Sequence, residues 1–139
     1  MPTKTEINQA RDREAIRQSL AQDTIVTMQD HPIMRLTGQI LRELRQRDWS
    51  EWETYSGLRD QYCRSVLSVA SNYAEGIGRG ALLSRLNFLK MARGSAYEAV
   101  AQSLHMPENY YLAASHFLAE AVNEEISHVI KLIEENEEK

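Results

Sequence analysis

The sequence has a single cysteine, Cys63, and only three prolines in 139 residues. One cysteine excludes an intrachain disulfide and is compatible with a reducing compartment. No apolar run approaches the roughly 18 residues that a membrane-spanning helix needs, and the first residues lack the apolar core of a signal peptide. We therefore expect no export and no membrane partner, and the expected location is the cytoplasm.

Motifs of enzymatic chemistry are also absent. The sequence contains no nucleophile elbow, no zinc-protease motif and no Cys/His pair at a suggestive spacing. Glycines 76, 78 and 80 match neither the phosphate-binding nor the dinucleotide-binding spacing, and no strand signal precedes them. The sequence therefore predicts a protein that is not an enzyme and that binds no cofactor.

A metal centre is the one enzymatic alternative that the residues leave open. Glu125 and His128 have the Glu-x-x-His spacing of di-iron helical bundles, and facing helices could add Glu75 and Glu98. Such a centre needs a second Glu-x-x-His pair, which this chain does not have. The alternative interpretation is that Glu125 and His128 only pack, so no metal ligand is predicted.

The composition is that of an ordinary globular protein, but the charges are unevenly distributed along the chain. Apolar residues make up 42% and charged residues 26%, with a net charge of −4, which indicates one folded core. The segment 76–97 carries four cations and no acid: Arg79, Arg85, Lys90 and Arg93. The segment 120–139 carries seven acids: Glu120, Glu124, Glu125, Glu134, Glu135, Glu137 and Glu138. The two poles predict separate partners or pairing with each other.

Apolar residues recur at helical spacing through most of the chain, and no strand signal appears. The pattern predicts helices over about 32–47, 51–76, 81–104 and 107–135. Asp30 and Pro32 mark the start of the first of these, and Ser50 with Glu53 forms a candidate capping box for the second. Residues 1–30 are predicted to be an N-terminal arm with a short helix over about 11–22. We therefore expect an all-α, antiparallel, up-down-up-down four-helix bundle over residues 31–139.

A stripe of small and polar residues runs along the helix predicted over 51–76: Gln61, Ser65, Ser68, Asn72 and Glu75. One interpretation is a close helix crossing that needs small side chains; the other is a polar network that sets register within the bundle or between subunits. Gly94 and Ser95 in the next helix are predicted to mark the close approach of another backbone. Arg79, next to the glycine turn, is predicted to pair with Glu75 or Glu98.

Two motifs in these helices resemble a known family. The first is Asn-x-Ala-Glu-Gly-x-x-Arg, carried by Asn72, Ala74, Glu75, Gly76 and Arg79, with Ser68 and Gly78 beside it. The second is Phe-Leu followed by Ala-x-Gly-Ser-x-x-Glu, carried by Phe88, Leu89, Ala92, Gly94, Ser95 and Glu98. Over about residues 58–102 the chain resembles the ribosomal RNA intervening-sequence proteins, including those of 23S rRNA.

The resemblance implies a four-helix bundle that assembles into a ring-shaped homo-oligomer, most simply a pentamer, with no known reaction. Accessory variability proteins of diversity-generating retroelements, which are distantly similar, form pentameric rings that bind nucleic acid and a reverse transcriptase. By analogy, the resemblance implies a scaffold that binds RNA or a ribonucleoprotein partner. The alternative is a ring that binds only protein.

Candidate nucleic-acid-binding residues form two groups. Arg35, Arg42 and Arg45 lie within about 80° of one direction on their helix and could contact phosphates. Arg85, Lys90 and Arg93 form the second group, in which Arg85 and Lys90 point about 140° apart. For this group, pairing with the Glu-rich last helix is the alternative interpretation.

Overall fold

The computed structural model describes the backbone of residues 1–137 and the side chains of that range except those of 17–26 and 51–52. The described chain is all-helical and contains no strand. The α-helices are α1 (Lys4–Asp30), α2 (Pro32–Gln46), α3 (Ser56–Arg79), α4 (Leu82–Leu104) and α5 (Leu112–Glu137), and 3-10 segments cover Ser50–Tyr55 and Pro107–Asn109. The sequence predicts that Glu137, Glu138 and Lys139 fray; Glu137 is the last residue of α5, and the other two lie outside the described residues.

The chain divides into two compact units, Met1–His31 and Pro32–Lys139. The first unit is the single helix α1, which is longer than the predicted helix over 11–22. A capping box begins it, because Thr3 Oγ1 accepts from the Glu6 N–H at 3.2 Å and Glu6 Oε2 accepts from the Thr3 N–H at 3.1 Å. The spacing Thr-x-x-Glu in the sequence is the signal that could have located this start.

In the second unit, each of the four helices packs on two others. Helix α3 packs on α2 and α4, and α5 packs on α4 and α2. The core lies between them and contains Ile33, Tyr62, Val66, Val69, Tyr73, Leu89, Leu118, Val122 and Val129, each almost inaccessible to solvent. Of the described helices in the whole chain, none combines the length and apolar character that a bilayer crossing requires.

Two details at the ends of α3 differ from the sequence prediction. The predicted capping box at Ser50 does not form, because the Ser50 N–H donates to Asp48 Oδ1 at 2.9 Å and a 3-10 segment precedes the helix. At the other end α3 continues to Arg79 instead of ending near Gly76. Among the three glycines only Gly80 has positive φ, +79°, so it alone makes the turn.

Gly76 has a different role, since α4 packs closely against α3 at this position. A Cβ added there would lie 3.1 Å from Phe88 Cβ and 3.3 Å from the Arg85 carbonyl oxygen. At Gly78, which is also inside the helix, an added Cβ would meet no atom within 4 Å. A substitution at Gly76 therefore tests the packing between α3 and α4, whereas one at Gly78 tests helix propensity alone.

We expect Gly76→Val to lower the free energy of unfolding by about 2 kcal/mol, because the added atoms force α3 and α4 apart. Gly78→Ala is the matched control and should raise it by up to about 1 kcal/mol through helix propensity. Chemical denaturation followed by circular dichroism measures both. Equal effects at the two positions would contradict the close contact at Gly76.

Candidate assembly and nucleic-acid surfaces

The polar stripe forms a hydrogen-bonded link between α3 and α4. Ser68 Oγ and Ser95 Oγ lie 2.8 Å apart, and Asn72 Nδ2 donates to the Ser68 carbonyl oxygen at 2.9 Å and to Ser68 Oγ at 3.2 Å. The half-buried Ser68–Ser95 bond joins the two helices, whereas both Asn72 bonds stay within α3 and satisfy its amide partly with backbone. The link therefore contains features of both predicted interpretations, namely small side chains where two helices meet and polar groups bonded to one another.

The neighbouring motif residues lie at the surface. Arg79 donates to Glu75 Oε1 at 3.1 Å, so of the two predicted partners, Glu75 and Glu98, it pairs with Glu75. Because both side chains are more than half exposed, this ion pair stabilises the fold little. Glu98 lies instead beside a cleft of about 320 Å³ between α3 and α4, which Arg64, Ser68 and Gln102 also line.

The close approach of another backbone that is predicted at Gly94 is not made by the described part of this chain. Gly94 is exposed, and a Cβ added to it would meet no atom within 4 Å. Local spacing does not show which side of a helix faces the core, and Gly94 faces away from it. Leu104, ten residues further along the same helix, is also 53% exposed.

These two residues belong to an exposed side of α4 that we call the α4 outer face. Four large apolar side chains on it are 51–65% exposed: Leu83, Met91, Tyr97 and Leu104. Lys90 and Glu98, its only charged residues, lie one turn before and one turn after Gly94. Sequence reasoning missed this face, although exposed positions 83, 87, 90, 94, 97, 101 and 104 follow the 4-and-3 spacing of helix-packing seams.

The three α2 arginines lie together on the solvent side of their helix. Arg35, Arg42 and Arg45 are exposed, and the opposite side of α2 buries Ile33, Thr37, Ile40 and Leu44. The single acid of this helix, Glu43, is half-buried and lies 3.5 Å from Arg47. The exposed side of α2 is therefore positively charged.

The second predicted group does not form one surface. Arg85 is half-buried and donates to Glu125 Oε1 on α5 at 3.1 Å, so its charge is paired within the protein. Arg93 is half-buried, and Lys90 lies on the α4 outer face. We therefore remove Arg85 from the candidate nucleic-acid-binding residues; its pairing with α5 is the alternative that the sequence left open.

Glu125 and His128 lie in different environments. Glu125 is nearly buried against Arg85, whereas His128 is exposed. Among the described residues, no group of three or more His, Cys, Asp or Glu side chains is placed to hold a metal ion.

Aromatic side chains cluster where the end of α2, the start of α3 and the start of α5 meet. The Trp49 and Tyr111 rings stack with centroids 6.2 Å apart and planes at 12°, and the Tyr62 and Tyr111 centroids are 5.2 Å apart. Tyr62 OH and Ser115 Oγ lie 2.7 Å apart in the core, and the Arg47 guanidinium lies 3.6 Å from the Tyr110 ring centroid. This cluster, which the sequence did not predict, fixes the Trp49 ring.

A cleft of about 410 Å³ opens beside Trp49, between α2 and α3. Leu41, Leu44 and Cys63 provide its apolar lining. The charged residues beside it are Arg45, Arg59 and Asp60. Because Arg45 is also one of the exposed α2 arginines, the cleft and the basic side of α2 are continuous.

Comparison with known protein families gives a match to most of the chain. A family model described as 23S rRNA-intervening sequence protein matches residues 31–135. No curated protein and no solved structure matches the chain. The family model covers α2 to α5 almost completely, and the chain therefore belongs to the 23S rRNA-intervening sequence protein family.

Proposed function

We propose that this protein is a non-enzymatic, homo-oligomeric scaffold that binds RNA through α2. The observation that carries the proposal is that Arg35, Arg42 and Arg45 lie together on the exposed side of one helix, α2. Basic side chains on one face of a helix bind phosphates and supply affinity that does not depend on sequence. Membership of a family named for a ribosomal RNA insertion favours RNA over DNA as the first partner to test.

Self-assembly is the second part of the proposal. We infer that α2 to α5 form an antiparallel, up-down-up-down four-helix bundle and that five copies associate as a ring, as the resemblance implies. The α4 outer face supports association, because exposed large apolar side chains in a low-charge surface are typical of protein contacts. The space above Gly94 allows a neighbouring helix to approach closely.

The assembly is tested by native mass spectrometry of the purified chain and of a Gly94→Arg variant. We expect the wild-type protein to have the mass of five chains. In the variant, a long charged side chain occupies the space above Gly94, so the assembly should dissociate into single folded chains. Gly78→Arg, on the exposed side of α3, is the matched control and should leave the assembly intact. A monomeric wild-type protein would overturn the ring, and an intact Gly94→Arg assembly would remove the α4 outer face from it.

RNA binding is tested with single-stranded RNA over a series of salt concentrations. Replacing Arg35, Arg42 and Arg45 by Ala removes three phosphate contacts, which should reduce the slope of log K against log salt by about 2. The control replaces the exposed Arg64, Arg79 and Lys131 by Ala, which changes the net charge equally. Equal loss of affinity in both triple variants would show that only total charge matters and would reject the α2 surface.

A further inference from the structure

The cleft beside Trp49 contains the chemical groups that bind a nucleobase. Leu41, Leu44 and Cys63 form an apolar surface, and the volume of about 410 Å³ accommodates a planar heterocycle. Ligand sites in proteins combine such an apolar lining with a few convergent polar groups. Here those groups are two guanidinium groups and one carboxylate.

The aromatic wall of the cleft is already fixed. Trp49 Nε1 donates to the Leu44 carbonyl oxygen at 2.8 Å, and stacking on Tyr111 holds the ring from another side. The Arg59 guanidinium lies 5.3 Å from the Trp49 ring centroid. Unpaired RNA bases stack on aromatic rings and on guanidinium planes, and a fixed ring loses little entropy on binding.

The charged residues beside the cleft match the phosphate and the base of a nucleotide. Arg45 extends from the same exposed side of α2 as Arg42, so a phosphate chain on these arginines passes the mouth of the cleft. Asp60, whose Oδ1 lies 3.7 Å from Arg59 Nε, provides an acceptor for the N–H groups of a base. Guanine offers two such donors on one edge and uracil one, so guanine suits this carboxylate better.

We propose that the cleft binds one unpaired base, preferentially guanine, of a single-stranded RNA whose phosphates lie on Arg42 and Arg45. This inference depends on the proposed RNA binding and adds a base-specific step to it. When the protein binds duplex RNA or polyphosphate, the cleft stays empty, because neither ligand presents an unpaired base.

Cys63 gives a direct readout, because it is half-buried in the cleft and is the chain's only cysteine. The full chain is alkylated with N-ethylmaleimide alone and with four probes: a single-stranded RNA of alternating guanine and adenine, oligouridine, duplex RNA and inorganic polyphosphate. At a concentration ten times the Kd, the guanine-containing strand should slow alkylation about tenfold, since Cys63 reacts only in protein whose cleft is unoccupied. Oligouridine should protect less, and duplex and polyphosphate should not protect.

Two variants separate this inference from the proposed function. Asp60→Ala should reduce the protection of Cys63 by the guanine-containing strand to the level given by oligouridine. The salt dependence of the RNA affinity should not change in this variant. The Arg35, Arg42 and Arg45 triple variant should bind all four probes more weakly. If RNA binds through these arginines but Cys63 reacts at the free rate, the base site is wrong and the proposed function stands; if no RNA binds, both fail. Should Cys63 react too slowly, quenching of Trp49 fluorescence in a Trp52→Phe variant provides the same readout, and no quenching overturns the site.

Discussion

Between pH 10 and pH 12 the protein is expected to lose several kcal/mol of its folding free energy and to unfold. Three core tyrosines are responsible. Burial raises the pKa of Tyr62 and of Tyr73 to about 12, and burial followed by the neighbouring Glu43 raises the pKa of Tyr111 further. In an unfolded chain, these phenols ionise near pH 10.

The direction of the pH effect follows from where the protons are bound. Above pH 10 the unfolded chain releases the phenolic protons while the folded chain keeps them, so rising pH favours unfolding. The contribution of each tyrosine is complete below pH 10 and is lost as the pH passes its folded pKa. A pKa raised by two units corresponds to about 3 kcal/mol for each group.

Far-ultraviolet circular dichroism and phenolate absorbance, measured on the same samples, test this expectation. The helical signal should fall as the absorbance of the core phenolates rises. In Tyr62→Phe, one titrating group is removed and the pH dependence above pH 10 should become shallower, although the bond to Ser115 is lost. Exposed Tyr55 gives the control, because Tyr55→Phe should leave the alkaline transition unchanged. Full phenolate formation near pH 10 with the helices intact would contradict the buried positions.

Replacing Glu125 by Ala is expected to lower the free energy of unfolding by about 3 kcal/mol. Its carboxylate accepts from Arg85 at 3.1 Å, and the two side chains are only 10% and 26% exposed. Removing the acid leaves the guanidinium in a poorly solvated position without this partner, which costs more than the ion pair contributes. For a chain of this size, the melting temperature should fall by about 6–12 °C.

A double variant tests the cause. Arg85→Met combined with Glu125→Leu replaces the pair by apolar side chains of similar length and should recover most of the lost stability. The exposed pair of Arg79 and Glu75 is the comparison, because Glu75→Ala should change the melting temperature little. If Glu125→Ala and Glu75→Ala have equal effects, the burial of the Arg85 pair is not what stabilises it.

Helical periodicity predicted much of the second unit, because each helix there buries one side. In α2, the spacing of Ile33, Ile40 and Leu44 indicated the buried side that the structure shows. Periodicity also indicated α3, α4 and α5 but not their ends. Ser50 illustrates the reason: a nearby carboxylate, Asp48, can accept the N–H that a capping box would use, and spacing does not weigh these alternatives.

Helix α1 was predicted only in part, over about 11–22, whereas it spans Lys4–Asp30. It has no apolar side along its length, so periodicity gave only a weak signal, and its start depends on the local bonds between Thr3 and Glu6. A helix whose apolar residues do not share one side is indicated by caps and propensity, which the pattern of apolar residues does not measure.

The candidate sites were partly predictable. The α2 arginines follow from spacing alone, because a helix that buries Ile33 and Ile40 must expose Arg35 and Arg42. The α4 outer face and the Trp49 cleft could not be derived in this way. They depend on how α4 and α2 turn relative to their neighbours, and this is set by tertiary contacts such as Gly76 with Phe88.

The short connection between α3 and α4 bears on how fast the chain folds. Only Gly80 and Ala81 separate the two helices, so residues that meet across them are close in sequence. Closing so short a loop costs little entropy, and proteins rich in local contacts fold within microseconds to milliseconds. The α3 and α4 hairpin is therefore suited to form first during synthesis, before α5 has left the ribosome.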